Sequence, residues 1–456
     1  MDNFSPSAAC AEFSANLKYE DIPAQAVDLI KRDILDWAGC AIKGSADRSS
    51  EPIRKARALL GGAPQASAFG DAALTDMRTA ATENGYFGHI FEMDDVDRES
   101  ISHPATVVMP PAFAVGQYLG KSGREIIEAI VAGFEVMLRI GASITPGHYQ
   151  VFHTTATTGV FGAAVSAGKL LGLPKERLLW AIGNAGTSAC GLWQFNPDGA
   201  MSKFIHAGGA AGNGLWVALL AKDGFSGASH ILEGKQGFFA GYARQEVNFD
   251  LYKDFGKRWR SSTVSFKPYP CCRHTHSAID AALEIRRQLA ELPGEKIRSL
   301  TVHTYGTALS IAGKVRPKTE REAKFSISYC VAASILFGTP KQQSFEAGCY
   351  EDPELKALLE RITVIDDPEI DACVPVNWPC RIEAVTESGR ELAAQIRAPK
   401  GDPENEVSWE GCEMKFRTMT YGILTDKQAD AVIALAKNFE NIKDFSKENL
   451  FLAANS

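Results

Sequence analysis

The chain has 456 residues, 45% apolar and 23% charged, with a net charge of −7 and a pI near 5.8. This is the composition of a soluble globular protein with length for roughly two to four domains, and the lack of a Lys/Arg-rich run argues against a nucleic-acid partner. No secretory signal is expected from MDNFSPSAACAEF, no apolar run reaches membrane-spanning length, and ten cysteines without a C-x-x-C pair fit a reduced, cytoplasmic setting.

In chain order, Pro23 opens a helix in which Val27, Ile30, Ile34, Trp37 and Ala41 share one face, and Gly44 ends it. Ser45 to Asp76 reads as a loop around a short helix and a small extended piece. The segment from Asn84 to Ala114 then crowds Glu92, Asp94, Asp95, Asp97 and Glu99 around Arg98, with His103-Pro104 at once behind. Its apolar flanks enter the core, so the carboxylates are either offered to a cleft or form a solvated acidic loop. Arg124 to Ile140 is apolar almost all round, as in a buried helix. Residues 147–173 end in a helix dense in Gly and Ala, Pro174 starts another, and residues 199–222 form a glycine-rich packed helix. GGAAGNG lacks the spacing and the preceding strand of a phosphate loop.

No convincing strand precedes about residue 260. Beyond it, Ser299 to Tyr305 alternates like a strand, and Arg381–Glu387 with Glu391–Arg397 reads as a hairpin turning at Ser388-Gly389. Helices are expected at 275–291 and 322–337. After KGDPENE (400–406) the chain is helical again, with Thr425 and Gln428 as a capping box. The expected architecture is mainly α: a large helical domain over 1–265, an α+β unit over 266–405, and C-terminal helices over 406–456 returning to the first domain.

Several residues could carry chemistry. His153 lies in VFHTTATTG, leading into a helix N-terminus that favours an anion. Lys203 precedes a glycine-rich helix in MSKFIHAGG. Lys267 opens KPYPCCRHTH, with Arg273 and His276 close behind, and Tyr329 lies on an apolar helix. Each has a plainer reading: a satisfied core histidine or tyrosine, a helix-end cation, a solvated linker lysine. No His/Asp/Glu spacing matches a metal-ligand motif, so no metal and no cofactor are expected. Basic groups from several segments of an acidic protein together suggest a pocket for a small polyanion.

The H-x-x-[DE]-x-D-D segment (His89, Glu92, Asp94, Asp95) followed by HP resembles the MmgE/PrpD family. So do HTTATTGVFGAA, MSKFIHAGGAA, KPYPCCRHTH and EAKFSISYCVA, in order over nearly the whole chain. That family includes 2-methylcitrate dehydratase, cis-aconitate decarboxylase and iminodisuccinate epimerase. The resemblance implies a homodimer whose subunits pair a helical domain with a smaller α+β lid over the active site, with no cofactor. It places the family's site on Glu92, Asp94, His103, His153, Lys203, Lys267 and Tyr329; His103, His153, Lys203 and Lys267 are expected to be catalytic, and Glu92, Asp94 and Tyr329, with Arg273 and His276 beside Lys267, to contact a small polycarboxylate. Glu92 departs from the family's usual aspartate, Val96 from a frequent hydroxyl residue, and Cys272 from the histidine of the decarboxylase branch. The pattern Lys267, Pro270, Cys272, His276 is similar to the epimerase branch instead.

The activities of that family move a proton next to a carboxylate, so cations must meet the developing charge and a histidine of near-neutral pKa must carry the proton. His153 is expected to be the base, with His103 as acid or orienting partner. The leading expectation is a lyase losing water or carbon dioxide. An isomerase using the same pocket and a non-catalytic carboxylate-binding protein are the alternatives.

Overall fold

The structure, a computed structural model, describes residues 4–451. It divides into two compact units, one running up to Val264 and resuming at Ser408, the other spanning Ser265–Val407.

The first unit is helical, and among the described residues no β-strand precedes Ile297. The Ala24–Ser45 helix buries Val27, Ile30, Ile34, Trp37 and Ala41, the face its periodicity marks. Trp37 meets the rings of Phe69 and Phe113 at 5.4 and 5.6 Å, and Phe445 and Phe451 of the chain's end pack on Phe113. The C-terminal return is therefore part of this core. Its Trp409–Thr420 helix packs on Ala24–Ser45, and Lys415 pairs with Asp36 at 2.6 Å. The capping box at Thr425 and Gln428 forms as the sequence indicates.

The Ser202–Lys222 helix lies against the Met77–His89 and Gly159–Leu170 helices. Two expectations change here. Lys203 lies inside the first turn rather than ahead of the helix. The helix is also long and apolar enough to cross a membrane by length and hydropathy, which a scan for uninterrupted apolar runs misses. Burial explains that apolarity: Phe204, Ala207, Ala211, Leu215 and Ala218 face other helices of the unit.

The second unit carries a mixed four-stranded sheet of β1 (Ile297–Thr304), β2 (Ile362–Asp366), β3 (Cys380–Thr386) and β4 (Glu391–Ile396), in the order β2-β1-β3-β4. The hairpin β3–β4 is antiparallel, with Ile382 opposite Ala394, and Val302 of β1 pairs with Ile382. β1 and β2 are parallel, and β2 was not anticipated because it is a short edge strand whose middle is largely exposed. The His276–Ala290 helix packs on β3 and β4. The single helix expected over 322–337 is two, Glu320–Lys324 and Ile327–Phe337. Ser326 adopts extended backbone between them and caps the second through Tyr329 N at 3.1 Å.

Close approach of the glycine-rich helix to Met77–His89 requires Gly208, where an added methyl would run into the backbone carbonyl of Thr82; nothing lies within 4 Å of a methyl at Gly209. Gly208→Ala should therefore lower stability by about 1–3 kcal/mol through overpacking. Gly209→Ala should be neutral or raise it by up to about 1 kcal/mol. Thermal melts of both variants check this, and equal melting temperatures would contradict it.

Candidate functional site

The acidic segment links the Met77–His89 helix, capped by Asp76 through Thr79 N, to the Ala105–Leu119 helix. The solvated-loop reading fails: Glu92, Asp94, Asp95 and Asp97 are at most 4% exposed. Carboxylates this deep must be paired, hydrogen-bonded or protonated, and the partners divide the segment in two. Glu99 accepts from Arg258 at 2.6 Å and Arg260 at 2.9 Å; burial pushes its pKa up, but the two guanidiniums outweigh it and hold the carboxyl below its usual range. Asp97 accepts from Ser100 N at 2.8 Å and exchanges backbone bonds with Ser102, closing a tight loop. These acids are structural. Glu92 and Asp94 are turned the other way, towards a lysine and histidines.

Asp95 accepts from Ala105 N at 3.1 and 3.2 Å, satisfying a donor at the helix start. Burial, with Asp33 and Asp94 nearby, pushes its pKa well up. Asp94 Oδ2 lies 2.6 Å from His89 Nδ1, and the Asp95 carbonyl lies 2.5 Å from His103 Nδ1. A carbonyl can only accept, so His103 carries its proton on Nδ1 and Nε2 is the atom that can exchange one. Glu92 has φ of 59°, a conformation uncommon for a non-glycine residue and met at functional sites. From there its carboxylate forms a short ion pair with Lys203. An ammonium in a first helical turn opposes the helix dipole. The carboxylate offsets that.

His153 precedes the four-residue helix Thr154–Thr157, too short for the anion-binding terminus read from sequence. Its backbone N donates to Gly191 O at 3.0 Å, and its Nδ1 lies 3.1 Å from His206 Nδ1. Its ring stacks on His89 with centroids 5.7 Å apart, and Trp193 closes another side at 5.0 Å. His89, His103 and His153, all buried, direct one ligand-capable atom each into a common space, all within 4.8 Å of one another. The expected near-neutral base is corrected: burial first, then Lys203, His206, His89 and His103, push the His153 pKa well down. Burial likewise lowers His89, against the raising effect of Asp94.

Five of the nine residues singled out are thus assembled within the first unit around His89: Asp94, His103, His153 and the Lys203–Glu92 pair. The carboxylates of Glu92 and Asp94 face an ammonium and an imidazole of the protein. His89 and His206 were missed as site residues. His206 lies one turn from Lys203 on the same helix, and His89 one turn before Glu92, spacings that share a face.

The remaining residues lie in the second unit. Lys267 is fully buried, so it is no solvated linker lysine. Arg273 pairs with Asp402 and donates to Lys400 O at 3.0 Å and His276 Nδ1 at 2.9 Å. His276 Nε2 lies 3.3 Å from Cys271 O, which fixes a neutral ring protonated on Nε2. The Tyr329 hydroxyl donates to Ser344 O, and burial raises its pKa.

Residues 8–250 match the MmgE/PrpD N-terminal domain and residues 269–441 the MmgE/PrpD C-terminal domain. A cis-aconitate decarboxylase of Aspergillus terreus (strain NIH 2624 / FGSC A1156) is 26% identical over 464 residues, covering 96% of this chain and 94% of the relative. The Homo sapiens cis-aconitate decarboxylase is 26% identical, covering 80% and 77%. A 2-methylcitrate dehydratase of Cupriavidus necator is 26% identical over 208 residues, covering 44% and 43%.

His148 supports the His153 segment by bonding Thr157 Oγ1 at 2.7 Å and Tyr242 O at 2.9 Å. Burial pushes its pKa down to about 4. A folded-state pKa below the unfolded value near 6.5 means that stability is complete above pH 6.5 and lost as pH falls towards 4, because the unfolded ring takes the proton first. The loss by pH 4 is about 3 kcal/mol for this ring. Urea titrations between pH 7 and 4 should show a shallower pH slope in His148→Gln than in the wild type. An identical slope would refute the assignment.

Proposed function

The chain belongs to the MmgE/PrpD family, and from that premise we propose that it is a lyase acting on a small di- or tricarboxylate without a cofactor. The observation carrying this reading is the convergence of three buried imidazoles beside the Lys203–Glu92 pair. Relatives named as a decarboxylase and a dehydratase along most or part of the chain support it.

In dehydration, a neutral imidazole takes the proton next to the substrate carboxylate, and the electrons of the C–H bond enter an enediolate. Hydroxide leaves from the neighbouring carbon with a proton from a second acid, as water. In decarboxylation, the C–C electrons remain on carbon as carbon dioxide departs, and an acid protonates that carbon. Both routes need a positive field over the developing oxyanion and a positioned proton carrier. Lys203 supplies the first. His153 is the base, and His103, oriented by the Asp95 carbonyl, is the acid.

A neutral, desolvated imidazole is already free of its proton, so burial readies His153 to accept one. The dianionic substrate brings the charge that stabilises the resulting imidazolium. Lys267, Arg273, His276 and Tyr329 are proposed to bind substrate, and the α+β unit to act as a lid. We also infer a homodimer, which sedimentation checks. A cytoplasmic location is proposed with it.

A panel of citrate, 2-methylcitrate, cis-aconitate and aminodicarboxylates followed by proton NMR tests the reaction. Deuterium incorporation without loss of water or carbon dioxide would instead mark an epimerase, and no turnover on any of them would leave a carboxylate-binding protein. Lys203→Met should give folded protein with turnover reduced about a hundredfold, some 3 kcal/mol of lost charge stabilisation. His153→Gln should abolish both turnover and α-proton exchange in deuterated water; wild-type exchange in the folded variant would remove His153 from the base role.

A base works only unprotonated, and His153 is held well below 6.5. The acid limb of kcat/KM should therefore lie below pH 6.5. A limb at or above 6.5 in the wild type, unmoved in other site variants, would contradict a desolvated histidine base.

A further inference from the structure

Each imidazole of the cluster has its Nδ1 against a protein group, and each offers one nitrogen to the shared space. His89 Nδ1 meets the Asp94 carboxylate at 2.6 Å, His103 Nδ1 the Asp95 carbonyl at 2.5 Å, and His153 Nδ1 the ring of His206 at 3.1 Å. Carboxylate or carbonyl behind an imidazole is the arrangement that fixes tautomer and aim in metal-ligating histidines. The His89 Nε2 atom is buried and has no hydrogen-bond partner, although its ring is 0% exposed. A buried nitrogen left this way calls for an occupant.

From these contacts we infer that His89, His103 and His153 form a reversible site for a divalent transition-metal ion of the zinc type, and that metal bound there blocks turnover. Tetrahedral zinc with Zn–N bonds of about 2.0–2.1 Å places its nitrogens about 3.4 Å apart. The three ligand atoms lie within 4.8 Å of one another, so modest ring rotations complete the geometry. Three imidazoles leave a fourth position for water. Asp94 behind His89 contributes negative charge, while the opposing Lys203 ammonium is countered by Glu92.

The block follows from electron counting. The imidazole lone pair that would accept a substrate proton is the one donated to the metal, and it cannot do both. The inhibition arm rests on the proposed proton-transfer function. The binding arm does not.

Tag-free, metal-stripped protein is titrated with Co²⁺, and separately with Zn²⁺ by calorimetry. One equivalent should bind, with the visible bands of low-coordinate cobalt and, in the zinc form, X-ray absorption showing imidazole scattering. Turnover should fall in step with zinc occupancy and return with EDTA. His89→Gln, His103→Gln and His153→Gln should each weaken binding at least tenfold, while His230→Gln, at an exposed ring, should keep it. Failure of the wild type to bind one equivalent, absence of imidazole scattering, or turnover that rises with zinc would overturn the proposal. Because scattering is read on the wild type, misfolding of a variant does not decide the result. Metal binding with no turnover on any carboxylate would sink the proposed function and leave the site standing; turnover without metal binding would do the reverse.

Discussion

Burying the acidic stretch after Phe91 is the constraint on which the helical unit depends. An unpartnered carboxylate in the interior costs several kcal/mol, so the surrounding helices must bring donors to it. Lys203 comes from the glycine-rich helix, His89 from the end of the preceding one, the Ala105 amide from the following one, and Arg258 and Arg260 from the chain before the second unit. Lys415 of the C-terminal return reaches Met93 O at 2.6 Å. The glycines at the helix contact serve the same end, since Lys203 can meet Glu92 only if the backbones approach closely.

Much of this was legible because apolar periodicity and helix-end chemistry are local. The faces of Ala24–Ser45, the β3–β4 hairpin and the capping box at Thr425 follow from spacing alone. The illegible parts depend on distant residues or on a single side-chain bond. Ser326 breaks an apolar run that periodicity reads as one helix, because its hydroxyl caps the Ile327–Phe337 helix. β2 is specified by its parallel partner β1 rather than by its own weak alternation. The histidine cluster joins residues whose sequence spacing matches no ligand motif, and only the packing of three segments makes them neighbours.

The acids around the histidines work by orientation more than by charge. Asp94 raises the proton affinity of His89, yet burial prevails and the ring remains below its ordinary pKa. With their pKa values lowered, His89 and His153 can take up a proton or a metal ion without first losing one. That property would vanish if the segment were solvated, because water would restore pKa values near 6.5. The fold's demand for burial and the site's chemistry thus have one origin.

A histidine elsewhere in the chain shows what separates a chemical ring from a structural one. His148 is as deeply buried as the cluster, but protein groups meet both of its nitrogens, Tyr242 O and Thr157 Oγ1. Such a ring holds backbone in place and has no lone pair to offer. His89 lies equally deep with its Nε2 unpartnered, and its ring shares its space with nitrogens of two further rings. Depth alone does not mark the functional histidine, and neither does a shifted pKa, which His148 also has. The distinguishing feature of His89 is an imidazole anchored at Nδ1 with Nε2 unpartnered, in a ring on which others converge.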